Sequence, residues 1–362
     1  MPLEFFLKSE TDRQQLISFL NIYHAQCEVV CPEQRPKRSP IKGAQTCRYC
    51  GATSLKRWKE AHTFSHALGN NTLFSYDECD VCNERFSTWE TDLAAFLGPS
   101  RTLNQVRGKK GIPKSKSADR QVEIVGDDTW EGQTEHIKIE RTALEKDAIR
   151  IDVEKGETAV TFVKETYRPL HVFKALIKMA YAILPQDDLP FYEVTKQFLN
   201  SSSLDNELAH TATINKITFT FGVGTSSPFL LLYKKKDLSL PHPTHVALLF
   251  WQNYVFQYGI PYHSADIERF GKKPMSQPQL PPFLFFEGKN VKSFARIVSL
   301  SSREPLKGEK ETIEFFHGAG IPSTVYDTDT GELIDAKLNP DDVKFIHLSR
   351  EKIIYPGKKK GI

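Results

Sequence analysis

Two cysteine pairs of identical spacing, Cys47-x2-Cys50 and Cys79-x2-Cys82, constrain this chain more than any other feature. Thiolates so spaced grip a tetrahedral Zn2+ with S–metal bonds near ~2.3 Å, and two pairs complete a closed, all-thiolate structural site. The segment between the pairs must then fold as a loop whose ends meet. It holds Glu60, His62, His66, Asn70 and Asn71, groups that handle protons and bind metals. A purely structural clip would not need them.

Compartment and size follow from the same residues. C-x2-C pairs in a reducing environment point to metal rather than to disulfides. Cys27 and Cys31 remain, either as a helical i,i+4 metal pair or, more commonly, as two buried free thiols. No apolar run reaches the ~18 residues of a membrane span, and the N-terminus lacks a basic and then apolar leader, so the expectation is a cytoplasmic protein with no membrane partner. A length of 362 residues accommodates two domains.

The net charge of +3 is unevenly spread: residues 1–120 hold 18 Lys/Arg against 13 Asp/Glu, and the remainder 30 against 32. Basic charge thus accompanies the cysteine pairs, as an anionic partner would favour.

Periodicity divides the chain into four stretches. Residues 1–44 carry a helix over 10–25, from Leu16, Ile17, Phe19, Leu20 and Tyr23. Residues 45–98 read as knuckle, strand (55–64), turn at Asn70-Asn71, strand (72–74) and helix. Ser75-x-x-Glu78 would serve as that helix's capping box and Gly98-Pro99 as its stop. Residues 99–129 form a basic linker, either solvated spacer or phosphate-tracking arm. Residues 130–362 hold helices at 170–184 and 191–199, then alternating runs such as 216–221, 229–233, 245–251, 254–258 and 312–316. This last stretch predicts a larger, β-rich α+β domain of unknown role around a mainly antiparallel sheet.

Segment 45–98 resembles the HNH (ββα-metal) endonucleases, in particular the subgroup stapled by four cysteines. The likeness rests on Cys47-x2-Cys50, Glu60-Ala61-His62, Leu68-Gly69-Asn70 and Cys79-x2-Cys82-Asn83. It implies a small zinc-stapled ββα module and hydrolysis of DNA phosphodiester bonds with one Mg2+ or Mn2+. Structural zinc would sit on Cys47, Cys50, Cys79 and Cys82. His62 would be the general base, Asn83 and Glu60 oxygen ligands of the catalytic ion, and Asn70 or Asn71 the group orienting His62. The family commonly places an acid immediately before the histidine; Ala61 stands there, and Glu60 shares the His62 side of an extended strand.

Double-stranded DNA would be gripped by Arg48, Lys56, Arg57, Lys59 and His66. Pairings of such modules with larger domains in restriction and phage-defence nucleases imply a defence role, with an activating partner or homo-oligomer formed through residues 130–362. The competing reading is a catalytically inactive zinc ribbon that binds nucleic acid without cutting it. Asp77, Glu78 and Asp80 read most simply as charges at a helix N-terminus.

Overall fold

The computed structural model describes residues 6–7, 9–32, 45–54, 60–108, 111–127, 136–141, 148–152, 155, 157–201, 212–219, 225–271, 275–276, 280, 283–284, 293–316 and 345–349. The connector at 33–44, Lys56, Arg57, Lys59 and the lysine-rich tail lie outside them. In chain order the elements are β1 (Phe6–Leu7), α1 (Glu10–Ile22), β2 (Tyr23–Val30), β3 (Gln45–Thr46), β4 (Thr53–Ser54), β5 (Ala61–His62), β6 (Phe74–Ser75) and α2 (Asp80–Leu97). Then come α3 (Ser100–Leu103), β7 (Ser115–Lys116), β8 (Val122–Asp127), β9 (His136–Arg141), β10 (Ile149–Asp152), β11 (Glu157–Val163), α4 (Pro169–Ala182) and α5 (Glu193–Asn200). The remainder is β12 (Thr213–Phe219), β13 (Thr225–Lys235), β14 (His245–Gln252), β15 (Tyr254–Ile260), α6 (Ser264–Phe270), β16 (Phe283–Leu284), β17 (Ser293–Ser299), β18 (Lys310–Phe316) and β19 (Phe345–Ser349). Helix and sheet are mixed, as the α+β expectation required.

Two compact units divide the chain, and they are not consecutive: one comprises 1–96 with 167–306, the other 97–166 with 307–362. The four-stretch division drawn from sequence therefore differs from the structure. Residues 99–129 are not a bare linker but contribute α3, β7 and β8. Tyr167 and Leu306, at two of the crossing points, exchange backbone hydrogen bonds of 3.3 and 2.8 Å inside the first unit. Long-range strand pairing of this kind leaves no periodic trace along the sequence.

The first unit is built on a six-stranded antiparallel sheet in the order β17-β12-β15-β14-β13-β2. Helix α1 opens at Ser9, whose hydroxyl accepts from the Asp12 amide at 3.1 Å, with Glu10 and Asp12 in its first turn. It stops at Ile22 rather than at 25, because Tyr23 turns extended and enters β2, its hydroxyl donating to Pro243 O at 2.8 Å. Phe19 and Tyr23 pack on the sheet face made by Ile217, Phe229, Leu231, Val246, Leu248, Phe250 and Val255. The opposite face carries Trp251, Tyr254 and Phe256 in stacked succession, 5.8 and 5.9 Å apart. There the Tyr258 hydroxyl donates to Leu176 O of α4 at 3.0 Å. Covered on both faces, β14 buries seven of its eight residues, which explains its unbroken apolar run.

Cys27 lies on β2 and Cys31 just past it, so a helical metal pair is excluded: four residues of strand separate them by ~13 Å. Burial pushes the Cys31 thiol up to about 12 and the Cys27 thiol in the same direction.

Between sheet and helices lies a buried polar network. His245 Nδ1 accepts from the Tyr192 hydroxyl at 2.6 Å, and its Nε2 stands 2.9 Å from Gln26 Oε1 and 3.5 Å from Asp188 Oδ2. Asp188 is held in turn by Lys234 at 2.6 Å. Burial drives His245 down to about 3, against the pull of Asp188. A depressed imidazole contributes stability that is present above the unfolded value near ~6.5 and lost as pH falls toward 3, up to about tenfold in the folding constant per pH unit. Thermal melts between pH 7.5 and 5 should therefore fall less steeply for His245→Asn than for the wild type. Parallel slopes would remove His245 from the acid response.

Candidate metal centre and histidine site

Each cysteine pair is placed by its own local device. The first sits on a tight hairpin: β3 and β4 pair with Thr46 opposite Thr53, the Cys47 amide donates to Ala52 O, and the Gly51 amide donates to Cys47 O, both at 2.8 Å. Gly51 closes the turn at φ +76, where a side chain would be strained. The second pair lies at the start of α2, whose Cys82, Phe86, Trp89, Leu93 and Phe96 form one buried stripe at helical spacing.

The four sulfurs come together, all within 4.8 Å of one another. Cys47 and Cys82 are 3.9 Å apart, Cys50 and Cys79 3.6 Å. Ligands ~2.3 Å from a tetrahedral centre stand ~3.8 Å apart, whereas a disulfide needs ~2.05 Å. The donor set can thus hold a metal ion such as zinc. Three of the four are buried and Cys50 is exposed. The close contact between the Cys47 and Cys82 sulfurs draws the Cys47 thiol down to about 4 and holds Cys82 up, and the Cys79 amide points at Cys47 Sγ from 3.4 Å.

The segment between the pairs forms the hairpin that its ends require; residues 55–59 of the expected first strand lie outside the described residues. In β5 and β6, Ala61 faces Ser75 and His62 faces Phe74. Asn70 holds the connecting loop. Fully buried, it donates to Phe64 O and Leu73 O at 2.9 and 2.8 Å and accepts from the Thr72 and Leu73 amides at 3.1 and 2.8 Å. Its amide is thereby used up on backbone, so it shapes the loop and does not orient the His62 ring. Asn71 is exposed, and among the described residues its side chain bonds Gly69 O at 3.1 Å. For Asn70 the expectation that it holds the imidazole is therefore corrected.

The His62 ring is half-buried, 4.8 Å from the Phe74 ring and 5.5 Å edge-on from that of His66. Ala61 is wholly buried and Glu60 exposed. An acid at position 61 would be an interior carboxylate, costly unless paired, so the open side of the strand belongs to Glu60 and His62. Asn83 is half-buried one residue beyond Cys82, and its side-chain amide is engaged by none of the described residues.

Two expectations fail on packing. Arg48 is no exposed phosphate contact: its guanidinium reaches Asp77 at 2.7 Å and the Tyr181 and Leu184 carbonyls at the end of α4 at 3.3 and 2.9 Å. Glu78 does not complete a capping box, because α2 begins at Asp80. Its carboxylate is buried and pairs at 3.1 Å with Lys178 of α4, and burial raises it to about 7 against that cation. Lys178 also donates to His62 O. Tyr49, inside the first pair, is buried against Phe86 and Tyr181, and its carbonyl accepts from Asn200. The Trp251 indole donates to Leu68 O at 3.0 Å. Sequence reasoning missed Lys178, though Lys174 and Lys178 on the apolar stripe of α4, between Phe173, Ile177 and Tyr181, marked two lysines needing buried partners.

Comparison with known proteins returned no matching family model, no matching curated protein and no matching solved structure.

Proposed function

We propose that the protein is a metal-dependent endonuclease of the HNH type, hydrolysing phosphodiester bonds in double-stranded DNA. The observation that carries this reading is one arrangement. A cysteine knuckle, a hairpin bearing His62, a loop fixed by Asn70 and a helix opening with the second cysteine pair are drawn together by four converging sulfurs. Zinc on those sulfurs would lock hairpin to helix. An imidazole is the side chain suited to take a proton from water near neutral pH, and His62, half-buried on β5, would be that base. Glu60 and Asn83 offer oxygens of the kind that Mg2+ or Mn2+ prefers, and such an ion, when bound, offsets charge on the phosphate.

One observation favours a second reading, a zinc ribbon that binds nucleic acid without cutting: no acid precedes His62, and Ala61 fills that place in the core. Supercoiled plasmid separates the two. The zinc-loaded full chain should nick or linearise it with Mg2+ or Mn2+ and leave it intact with EDTA. Salt-dependent binding with no cleavage under either ion would overturn the nuclease reading.

A further inference from the structure

We propose that Lys178 is a positioning residue for His62, acting across the boundary between the cysteine-clipped segment and α4; the inference rests on the nuclease reading. A single ammonium, with its side chain 3% exposed, joins parts of the candidate site distant in sequence. It donates to the carbonyl of His62 itself. It pairs with Glu78, the residue directly before the metal-binding Cys79, at 3.1 Å. It stands 5.7 Å from the centre of the Phe86 ring on α2. The Lys178 carbonyl meanwhile accepts from the hydroxyl of Tyr49, between Cys47 and Cys50, at 3.3 Å.

Stability is a poor explanation for this arrangement. Desolvating two charges is expensive, and apolar side chains of similar volume commonly serve a core as well or better. Direction explains more. Among the described residues the strand carrying His62 is two residues long and pairs with β6, a short ladder to which the Lys178 bond adds a fixed point. A donor fixed by Glu78 to the start of α2, and gripping the His62 carbonyl, fixes where the ring stands relative to Asn83 on that helix. General-base geometry is sensitive at the scale of an ångström, and this strut would supply that last adjustment.

The test uses the full chain and three variants. Lys178→Met removes the strut, Glu78→Gln leaves Lys178 an acceptor oxygen, and Lys178→Met/Glu78→Leu removes both charges and so avoids a stranded carboxylate. The double variant should keep stoichiometric zinc and a melting temperature near the wild type's, while kcat for plasmid nicking falls at least tenfold with KM unchanged. Glu78→Gln should lose less than Lys178→Met. The His62 imidazole resonances should shift in both variants lacking Lys178. Normal cleavage and unmoved His62 resonances in the folded double variant would overturn the proposal. If it fails to fold, the comparison of Glu78→Gln with Lys178→Met decides: activity losses merely tracking their melting temperatures, with His62 unmoved, overturn it equally. Should the wild type not cut, the nuclease reading falls, and the resonance shifts alone decide whether Lys178 holds His62.

Discussion

Serine in place of Cys82 is expected to abolish stoichiometric metal binding and to lower the melting temperature of the first unit by roughly 6–20 °C. Cys82 is fully buried, 3.9 Å from Cys47, and opens the apolar stripe that continues through Phe86 and Trp89. A hydroxyl is a poor ligand for a borderline-soft ion and would also be left in a site built for four sulfurs. Structural zinc contributes about 10–16 kcal/mol in small metal-folded domains. Here part of that role passes to α4, through Arg48 and Tyr49, so partial rather than complete unfolding follows. For a unit of this size about 3–5 kcal/mol moves the midpoint by roughly 6–20 °C. Metal analysis and calorimetry check the prediction. A chelator should reproduce it in the wild type, with the exposed Cys50 as the route of attack, while Cys27→Ser should leave both readouts unchanged. A Cys82→Ser protein with full metal content and an unshifted melt would show that the four sulfurs do not act as one site.

What could be read from the chain was whatever leaves a local or periodic mark. The converging sulfurs, the extents of α2 and α4 within a few residues, and the antiparallel character of β12 to β15 follow from spacing, stop signals and alternation. Tertiary reuse of residues was not legible. Arg48 and Glu78 look like surface charges in sequence because nothing nearby shows that α4 will cover them; each is decided by a partner over 90 residues away. The loop role of Asn70 was hidden similarly, since an amide that bonds four backbone groups and one that aims an imidazole leave the same trace. The interleaved units escaped notice because pairing such as β11 with β18 is a long-range event.

That reuse changes what kind of object the cysteine-clipped segment is. Expected as a small module followed by a basic linker, it shares a compact unit with α4, α5 and the six-stranded sheet. Leu68, Tyr49 and His62 are all tied by hydrogen bonds to residues between 178 and 251.

His62→Ala should lower DNA cleavage by ~10²–10⁴-fold while leaving zinc content and the melting temperature close to those of the wild type. The magnitude is that of removing a positioned general base. The fold should tolerate the change because the side chain is half-buried, with the rings of Phe74 and His66 beside it among the described residues. The strand is held instead by backbone: the pairing with β6, the Thr63 amide on Leu73 O at 3.2 Å, and the carbonyl on Lys178, none of which needs an imidazole. Asn70→Ala makes the informative contrast. It removes the side-chain partner of the Phe64 carbonyl, which is buried, and of the Thr72 and Leu73 amides, while Leu73 O keeps the Thr63 amide, so it should cost stability and activity together, at roughly 1–3 kcal/mol for polar groups left unsatisfied. Plasmid nicking under Mn2+ alongside calorimetry separates the two behaviours. If His62→Ala cuts at the wild-type rate, proton transfer at this site belongs to another group, and the hairpin is a scaffold for binding alone.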